Sequence, residues 1–163
     1  MAGSGTEDAE LTIGPPVAGD GGRIWEVANA AGGLDVNTSY AYVLWVRDFA
    51  ATTAVAREGD RIGAYCTGYL RPDAPDTYFV WQVAVHPDYR RRGLGLAVLQ
   101  ELVERTGASA LEATVTPGNT ASQRLFAAFA EARGATLTTS PLFSADDFPD
   151  EHDPEDLIRI TPI

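Results

Sequence analysis

The sequence predicts an α+β fold with a mixed sheet. Three successive segments are rich in β-branched and aromatic residues that alternate with polar ones, which predicts an antiparallel meander over residues 52–56, 62–69 and 77–85. Across residues 81–99, the third segment leads through three adjacent arginines and two glycines into an apolar run at helical spacing. The predicted element order along the chain is β, α, α, β, β, β, α, β, α, β, β.

The length and composition predict one domain. The chain has 163 residues, 45% of them hydrophobic and 21% charged, which is ordinary for a globular protein with a sizeable core. Residues 1–10 have the small, acidic composition of a disordered tail, so we expect the domain to span residues 11–163. The tail lacks the apolar stretch of a signal peptide, and no run of about 18 apolar residues occurs, so we expect a cytoplasmic protein without a membrane span.

The charge balance and the cysteine count exclude several classes of partner. Twelve basic and 23 acidic side chains give a formal net charge of −11, so we expect no binding to nucleic acid or to an anionic membrane. Cys66 is the only cysteine, which excludes an internal disulfide, and we expect it to be a small core residue without a nucleophilic role. With only two histidines in the chain, we expect no metal site.

The first third of the chain predicts one strand and two helices. A short alternating strand covers residues 11–13, and the helical stripe that follows ends at the glycine pair 32–33. A polar turn over residues 34–40 then offers caps for a short aromatic helix over residues 40–49.

The second half of the chain predicts two more helices and the strands that complete the sheet. The helix after the glycines covers residues 94–105, and a strand over residues 110–115 follows it. Residues 116–119 break that strand, a second helix ends at Gly134, and another strand lies near Leu137.

An acidic loop separates that strand from the end of the chain. Seven of the eleven residues from 146 to 156 are Asp or Glu, so the loop is either exposed or binds a cation. Residues 157–160 are apolar enough to close the sheet as a last strand.

The glycines of the central stretch predict an anion site at a helix N-terminus. They let the backbone curl with its N–H groups pointing inward, and the helix adds roughly +0.5 of an elementary charge. By itself, the pattern Arg90-x-x-Gly93-x-Gly95 also fits an ordinary turn and helix cap. The chain has no lysine, which excludes the Walker pattern, and Val98 stands where the Rossmann fingerprint needs a third glycine.

The element order, with a strand that runs into Arg-x-x-Gly-x-Gly, resembles the GNAT superfamily of acyl-CoA-dependent N-acetyltransferases over nearly the whole chain. Residues 34–42, 75–85 and 111–117 are similar to the family of L-2,4-diaminobutyrate acetyltransferases of ectoine synthesis, and these stretches are far more specific than the glycines. The resemblance implies the GNAT fold, with a mixed, mostly antiparallel sheet and helices on both faces. It also implies transfer of an acetyl group from acetyl-CoA to the γ-amine of L-2,4-diaminobutyrate.

The same resemblance implies a cofactor site for acetyl-CoA and no metal. The pyrophosphate loop of the superfamily matches residues 90–95, and its pantetheine arm runs along the strand at residues 83–85. A position after the fifth strand that faces the cofactor matches Asn119. The residues expected to bind acetyl-CoA are Val83, Ala84, Val85, Arg90, Arg91, Arg92, Gly93, Leu94, Gly95 and Asn119.

One departure from the superfamily concerns the general acid. Many members have a tyrosine about seven residues after the Asn119 position, and here that residue is Phe126. A tyrosine acid at that site is therefore excluded. The reaction can tolerate the loss, because a thiol with a pKa near the ~8.5 of cysteine leaves readily as a thiolate.

The amine of the implied substrate must lose a proton before it attacks, since its pKa is somewhat below the ~10.4 of lysine. Glu112, which lies in an otherwise apolar strand, is the candidate base, and a water held by strand carbonyls is the alternative. Glu112 also fits a solvent-facing position on an alternating strand. A backbone N–H at a bulge near Val83 is expected to hold the oxyanion, as the resemblance implies.

A pocket for a diamino acid needs acids opposite the amines and donors or aromatic faces around them. The residues expected to bind the substrate are Asp35, Asn37, Ser39, Tyr40, Trp81, Glu112, Thr114 and His152. Alternatives remain for several of them, because Asn37 and Ser39 fit helix caps, Trp81 fits the core and His152 fits an exposed loop.

Two other functions remain open at this point. One is acetylation of a different small amine or amino acid, and the other is a noncatalytic acetyl-CoA sensor that keeps the loop but lacks the acid. The sheet edge near the last strands suggests a homodimer, which the family resemblance also implies.

Overall fold

The computed structural model describes residues 9–163, in which seven strands form one sheet. Of the predicted tail, residues 1–8 lie outside the described residues, and Ala9 and Glu10 belong to no helix or strand. The strands are β1 (Leu11–Gly14), β2 (Ala54–Glu58), β3 (Arg61–Arg71), β4 (Ala74–Val85), β5 (Ala110–Val115), β6 (Thr136–Phe143) and β7 (Glu155–Thr161). The helices are α1 (Asp20–Ala31), α2 (Ser39–Asp48), α3 (Leu94–Thr106) and α4 (Thr120–Arg133).

The strand order across the sheet is β1-β2-β3-β4-β5-β7-β6. Neighbouring strands are antiparallel except β4 and β5, which run parallel and pair only between residues 77–80 and 110–113. Both strands continue past those pairs, β4 to Val85 and β5 to Val115, so a gap opens between their carboxyl ends. The predicted α+β class and the mixed, mostly antiparallel sheet are confirmed.

Helices cover both faces of the sheet, as expected. On one face, α1 and α2 pack around a buried cluster that includes Ile24, Tyr42 and Tyr65. On the other face, α3 and α4 pack around a larger cluster in which Leu99 and Phe129 are fully buried. Burial of one such side chain stabilises the fold by roughly 1.5–3 kcal/mol, so these two layers fix the positions of β4 and β5.

Most of the predicted element boundaries agree with the structure to within a few residues. The strand over residues 110–115 is observed as predicted, and α3 is one residue longer than expected. The strand predicted from Thr52 begins at Ala54, because Ala50–Thr52 form a short 3-10 helix after α2. β6 extends to Phe143, well past the predicted position near Leu137, because it pairs with β7 along its length.

The described part of the chain also bears on the lone cysteine, on membrane spans and on clusters of metal-ligating side chains. Cys66 is fully buried, and this burial raises the pKa of its thiol to about 12, as a core role requires. Within residues 9–163, no helix has the length and apolar character needed to cross a membrane. The same residues contain no cluster of three or more His, Cys, Asp or Glu side chains arranged to hold a metal ion, the acidic loop included.

Candidate active site

A groove of about 750 Å³ lies between the N-terminus of α3, the end of β4 and the first half of α4. Gly93 has φ of 70° and stands immediately before α3, and Arg91 is also left-handed, with φ of 64°. The first N–H groups of an α-helix have no partner inside the helix, so those of α3 are free to bind an anion. A side chain at Gly95 would meet α4, since a Cβ there would lie 3.3 Å from Leu125 Cδ1.

Nine of the ten residues expected to bind the cofactor line this groove: Val83, Ala84, Val85, Arg90, Arg91, Gly93, Leu94, Gly95 and Asn119. The exception is Arg92, whose guanidinium lies 5.0 Å from the centre of the Tyr89 ring and 3.9 Å from Glu58. The Arg90 guanidinium donates a hydrogen bond of 2.8 Å to the carbonyl of Ala31 at the end of α1.

The edge of β4 that faces the gap is open. The N–H of His86 donates to the carbonyl of Gly63 on β3, at 2.8 Å. Because successive peptide groups of a strand point in opposite directions, those of Val83 and Val85 point away from β3 and into the gap. The bulge expected near Val83 lies two residues earlier, at Trp81, where β3 pairs Thr67 with Gln82 and Gly68 with Val80.

A second cavity, of about 540 Å³, lies on the other side of the gap. It is enclosed by the loop before α2, the ends of β4 and β5, and the loop between β6 and β7. Its lining shares Gly33, Leu34 and Asn119 with the groove, so the two spaces meet at these three residues. The other lining residues are Asp35, Asn37, Trp81, Gln82, Thr114, Val115, Thr116, Glu151, His152, Asp153 and Glu155.

Asn119 stands at that meeting point because it also begins α4. Its side-chain oxygen accepts a hydrogen bond of 3.1 Å from the backbone N–H of Ser122, which caps the helix. The amide nitrogen of Asn119 is thereby turned away from the cap, while the residue lines both cavities. Capping and a role at the site are therefore compatible.

His152 and Asp35 face each other across the mouth of the second cavity. Their closest charged atoms, Nε2 of His152 and Oδ2 of Asp35, are 3.5 Å apart. The His152 ring stacks on Phe148 at 4.0 Å, which holds it against the loop. A hydrogen bond to the carbonyl of Asp153 raises the pKa of His152, and the nearby acids, Glu155 foremost, act in the same direction.

Glu155, at the start of β7, is the most enclosed acid of the cavity, with 19% of its side chain exposed. Its Oε2 is buried and has no hydrogen-bond partner among the described residues. Burial raises the pKa of the Glu155 carboxyl, against the opposing effects of Thr114 and His152. The sequence predicted only an acidic loop and did not single out this residue, because seven of the eleven residues there are acidic and nothing in their pattern shows which carboxylate is enclosed.

Glu112 does not line the cavity. It is buried, with 6% of its side chain exposed, and it lies between two guanidinium groups. Its Oε1 accepts from Arg159 at 2.7 Å and its Oε2 from Arg71 at 3.2 Å. Both oxygens are thus engaged, which does not favour a base at this position, and the alternative of a solvent-facing side chain is wrong.

The other residues expected to bind substrate divide into two groups. Asn37, Trp81 and Thr114 line the cavity, together with Asp35 and His152. Ser39 and Tyr40 lie outside it, in the exposed first turn of α2. The capping alternative is wrong for Asn37 and Ser39, because the N-cap residue of α2 is Thr38 and it makes no side-chain cap. The alternative of a core Trp81 is also wrong, since that side chain is 51% exposed.

Gln82 is a second residue that the sequence reasoning missed. Its Oε1 accepts from the hydroxyls of Tyr42 and Tyr65, at 2.8 and 3.0 Å. Its Nε2 donates to the backbone carbonyl of Asp35 at 2.7 Å, and the Tyr42 hydroxyl accepts from the N–H of Asn37 at 3.3 Å. Gln82 therefore holds the loop before α2 against β4, and the signal in the sequence was an amide within the otherwise apolar run of β4.

Comparison with known proteins gives concordant results. Residues 24–130 match the model of the Acetyltransferase (GNAT) family. The chain is 54% identical over 151 residues to the L-2,4-diaminobutyric acid acetyltransferase of Nocardia farcinica, across 91% of this chain and 78% of that protein. It is 50% identical over 161 residues to the protein of the same name from Streptomyces coelicolor, across 95% of each.

A solved structure is similar over the same extent. It is the diaminobutyrate acetyltransferase of Paenibacillus lautus in complex with its substrate L-2,4-diaminobutyric acid and coenzyme A. The two chains are 36% identical and superpose with a TM-score of 0.87, across 94% of this chain and 96% of that one.

Proposed function

The chain belongs to the acetyltransferase (GNAT) family, and we propose that it transfers the acetyl group of acetyl-CoA to the γ-amine of L-2,4-diaminobutyrate. The product, N-γ-acetyl-diaminobutyrate, is then an intermediate of ectoine synthesis in the cytoplasm. The relatives from Nocardia farcinica and Streptomyces coelicolor support this substrate, and so does the Paenibacillus lautus complex.

One observation of the structure carries the proposal: two cavities of opposite character meet at the gap between β4 and β5. The groove offers arginines and a helix N-terminus, which suit the pyrophosphate of acetyl-CoA. The second cavity offers acidic side chains, which suit a cationic amine. A thioester that enters from one side and an amine that enters from the other reach the same point.

The cofactor is proposed to lie in the groove with its pyrophosphate at residues 90–95 and its pantetheine arm along the open edge of β4. The free peptide groups of Val83 and Val85 then pair with the arm in place of the missing strand. The N–H of Val83 is the proposed donor to the oxyanion of the tetrahedral intermediate, and such a donor typically contributes about 3 kcal/mol to the transition state.

Glu155 is the proposed general base in place of Glu112. Its side chain lines the cavity and is 19% exposed, and the raised pKa of its carboxyl makes it a better proton acceptor than an exposed carboxylate. It takes a proton from the γ-ammonium, the amine nitrogen attacks the thioester carbon, and the carbon–sulfur bond then breaks. Before that bond breaks, the intermediate gives its second nitrogen-bound proton to water, and CoA departs as a thiolate that takes up a proton from water.

No side chain needs to protonate the leaving group in this scheme. Phe126, at the position of the superfamily tyrosine, is 2% exposed and belongs to the core between α4 and the sheet. Departure of a thiolate with a pKa near ~8.5 requires little assistance, so the apolar residue is consistent with turnover.

Selection of the γ-amine requires that the α-amine be held away from the thioester. We assign this role to Asp35, because its carboxylate lines the second cavity, 3.5 Å from His152, and does not line the groove. Protonated His152 is the proposed partner of the α-carboxylate, and the raised pKa of His152 favours its protonated form.

The proposal is tested by CoA release from acetyl-CoA with L-2,4-diaminobutyrate, followed by NMR of the product. We expect the γ-acetyl isomer as the main product. Glu155→Gln should lower kcat by about 10²-fold or more, as loss of a general base does. The matched control is Glu131→Gln, which removes the same charge from an exposed site on α4. Mainly α-acetyl product, or an unchanged kcat in Glu155→Gln, contradicts this assignment of the site.

We also propose a homodimer, on the evidence of the sheet edge. β6 is the terminal strand of the sheet and is exposed along nearly its whole length. Leu142 and Phe143 at its end are 45% and 47% exposed, which leaves an apolar edge suited to a second copy. Light scattering of the purified protein measures the mass, and a monomer at micromolar concentration contradicts the proposal.

A further inference from the structure

We propose that the same cavity also accepts three-carbon diamines that carry no carboxylate, of which 1,3-diaminopropane is the simplest. This inference rests on the proposed function, since it concerns the amine that attacks the same thioester. It follows from the charges that line the cavity and from the depth at which each charge lies.

The side chains of the cavity recognise cations far better than carboxylates. Its charged lining consists of Asp35, Glu151, Asp153 and Glu155, with His152 as the one basic group among the described lining residues. The chain contains no lysine, and no arginine belongs to this lining. Arginine is the usual partner of a carboxylate, because its guanidinium donates two parallel hydrogen bonds. A substrate carboxylate therefore meets only His152 and neutral donors here.

The acids are arranged for two separate ammonium groups. Glu155 is the enclosed one, with 19% of its side chain exposed, and it lines the cavity, so its carboxylate is available to accept a hydrogen bond from an ammonium group. Asp35 has 97% of its side chain exposed, and Nε2 of His152 lies 3.5 Å from Asp35 and 3.9 Å from Glu155, so the two carboxylates are separate and close enough to be reached by the two ends of a short ligand. Each amine of a three-carbon diamine thus has its own carboxylate partner, and neither contact requires a carboxylate on the ligand.

1,3-Diaminopropane is L-2,4-diaminobutyrate without its carboxylate, so the two ligands place their nitrogens the same number of bonds apart. At neutral pH the diamine carries two positive charges and the amino acid a net charge of one. Loss of the carboxylate removes its repulsion from the four acids of the lining. It also strengthens the attraction to a chain whose formal net charge is −11.

The test compares kcat/KM for L-2,4-diaminobutyrate, 1,3-diaminopropane and propylamine in the CoA-release assay. We expect 1,3-diaminopropane to be within about tenfold of the amino acid, and propylamine to be lower than 1,3-diaminopropane by at least about tenfold, because it lacks one charged contact. Salt should raise the KM of the doubly charged diamine more than that of diaminobutyrate, because exposed charges are screened. Asp35→Asn should weaken both diamines and leave propylamine unchanged, whereas Glu131→Gln should affect none of the three.

The outcomes separate this inference from the function on which it rests. Turnover of diaminobutyrate with a deficit of more than about tenfold for 1,3-diaminopropane shows that the carboxylate is recognised, and it overturns the inference alone. Turnover of 1,3-diaminopropane without turnover of diaminobutyrate overturns the proposed substrate and supports the inference. Propylamine that equals 1,3-diaminopropane overturns the two-ammonium arrangement, and inactivity with every amine overturns both proposals.

Discussion

The substitution Glu112→Gln distinguishes a structural carboxylate from a catalytic one. Glutamine preserves the shape of the side chain and one acceptor oxygen, but it removes the negative charge that lies between Arg71 and Arg159. If Glu112 were the base, kcat would fall. The ion pairs and the position outside the cavity predict instead a loss of stability with kcat preserved.

The size of that loss follows from the geometry. Hydrogen bonds of 2.7 and 3.2 Å join the buried carboxylate to the two guanidinium groups, and a bond to a charged group contributes about 1.5–3 kcal/mol. Both arginine side chains are partly exposed, at 39% and 40%, so water compensates part of each lost contact. We therefore expect a total loss of about 2 kcal/mol. For a domain of this size, that lowers Tm by about 4–8 °C.

Thermal unfolding and CoA release, measured on the same preparation well below Tm, give the two readouts. The expected result is a lower Tm with kcat within about twofold of the native value, since the carboxylate touches neither cavity. A kcat that falls by about 10²-fold with Tm unchanged would refute the reasoning and return Glu112 to the role of base. Glu131→Gln, on the exposed surface of α4, should change neither quantity.

Four further predictions concern the two cavities. Gly95→Trp should abolish acetyl-CoA binding in calorimetry, because the indole must occupy the groove; unchanged affinity contradicts the cofactor assignment. Phe126→Tyr should not raise kcat as much as tenfold, since the new hydroxyl lies in the core; a larger gain, worth about 1.4 kcal/mol, would mean that acid catalysis is missing. Asp35→Asn should raise KM for diaminobutyrate by about three- to tenfold, because the exposed carboxylate is screened; an unaltered KM contradicts its role. A base must be deprotonated, so kcat/KM should fall as the pH falls through the pKa of Glu155, which burial places above the usual carboxyl value of about 4.3. If Glu155→Gln shows the same decrease of kcat/KM at low pH, the decrease belongs to another group.

The residues that the sequence predicts for the cofactor all line one groove, with the exception of Arg92. The pattern from Arg90 to Gly95 is local, because the conformation of each glycine and the start of α3 depend on neighbouring residues. The orientation of the Arg92 side chain, in contrast, is not set by its immediate neighbours in the sequence alone. It depends on Tyr89 and on Glu58, which lies on a strand more than 30 residues earlier.

The substrate cavity was less accessible to sequence reasoning. Asp35, Trp81 and His152 line one cavity, although they come from three separate parts of the chain, and their role in binding substrate stays a prediction. Glu155 was missed because its position among seven acids says nothing of which carboxylate is enclosed. Gln82 was missed because its hydrogen bonds reach residues on α2, β3 and a loop.

The sequence by itself determined the α+β class, the order of the elements and the glycine turn before α3, because these depend on periodicity and on the backbone freedom of a few glycines. Only the tertiary structure decided which acid is available for chemistry. Glu112 and Glu155 both lie on strands, yet the register of β5 with β7 places Arg159 beside Glu112, while Glu155 stands at the open end of β7. Burial and ion pairing arise from such contacts between distant segments, and they decide whether a carboxylate stabilises the fold or accepts a proton.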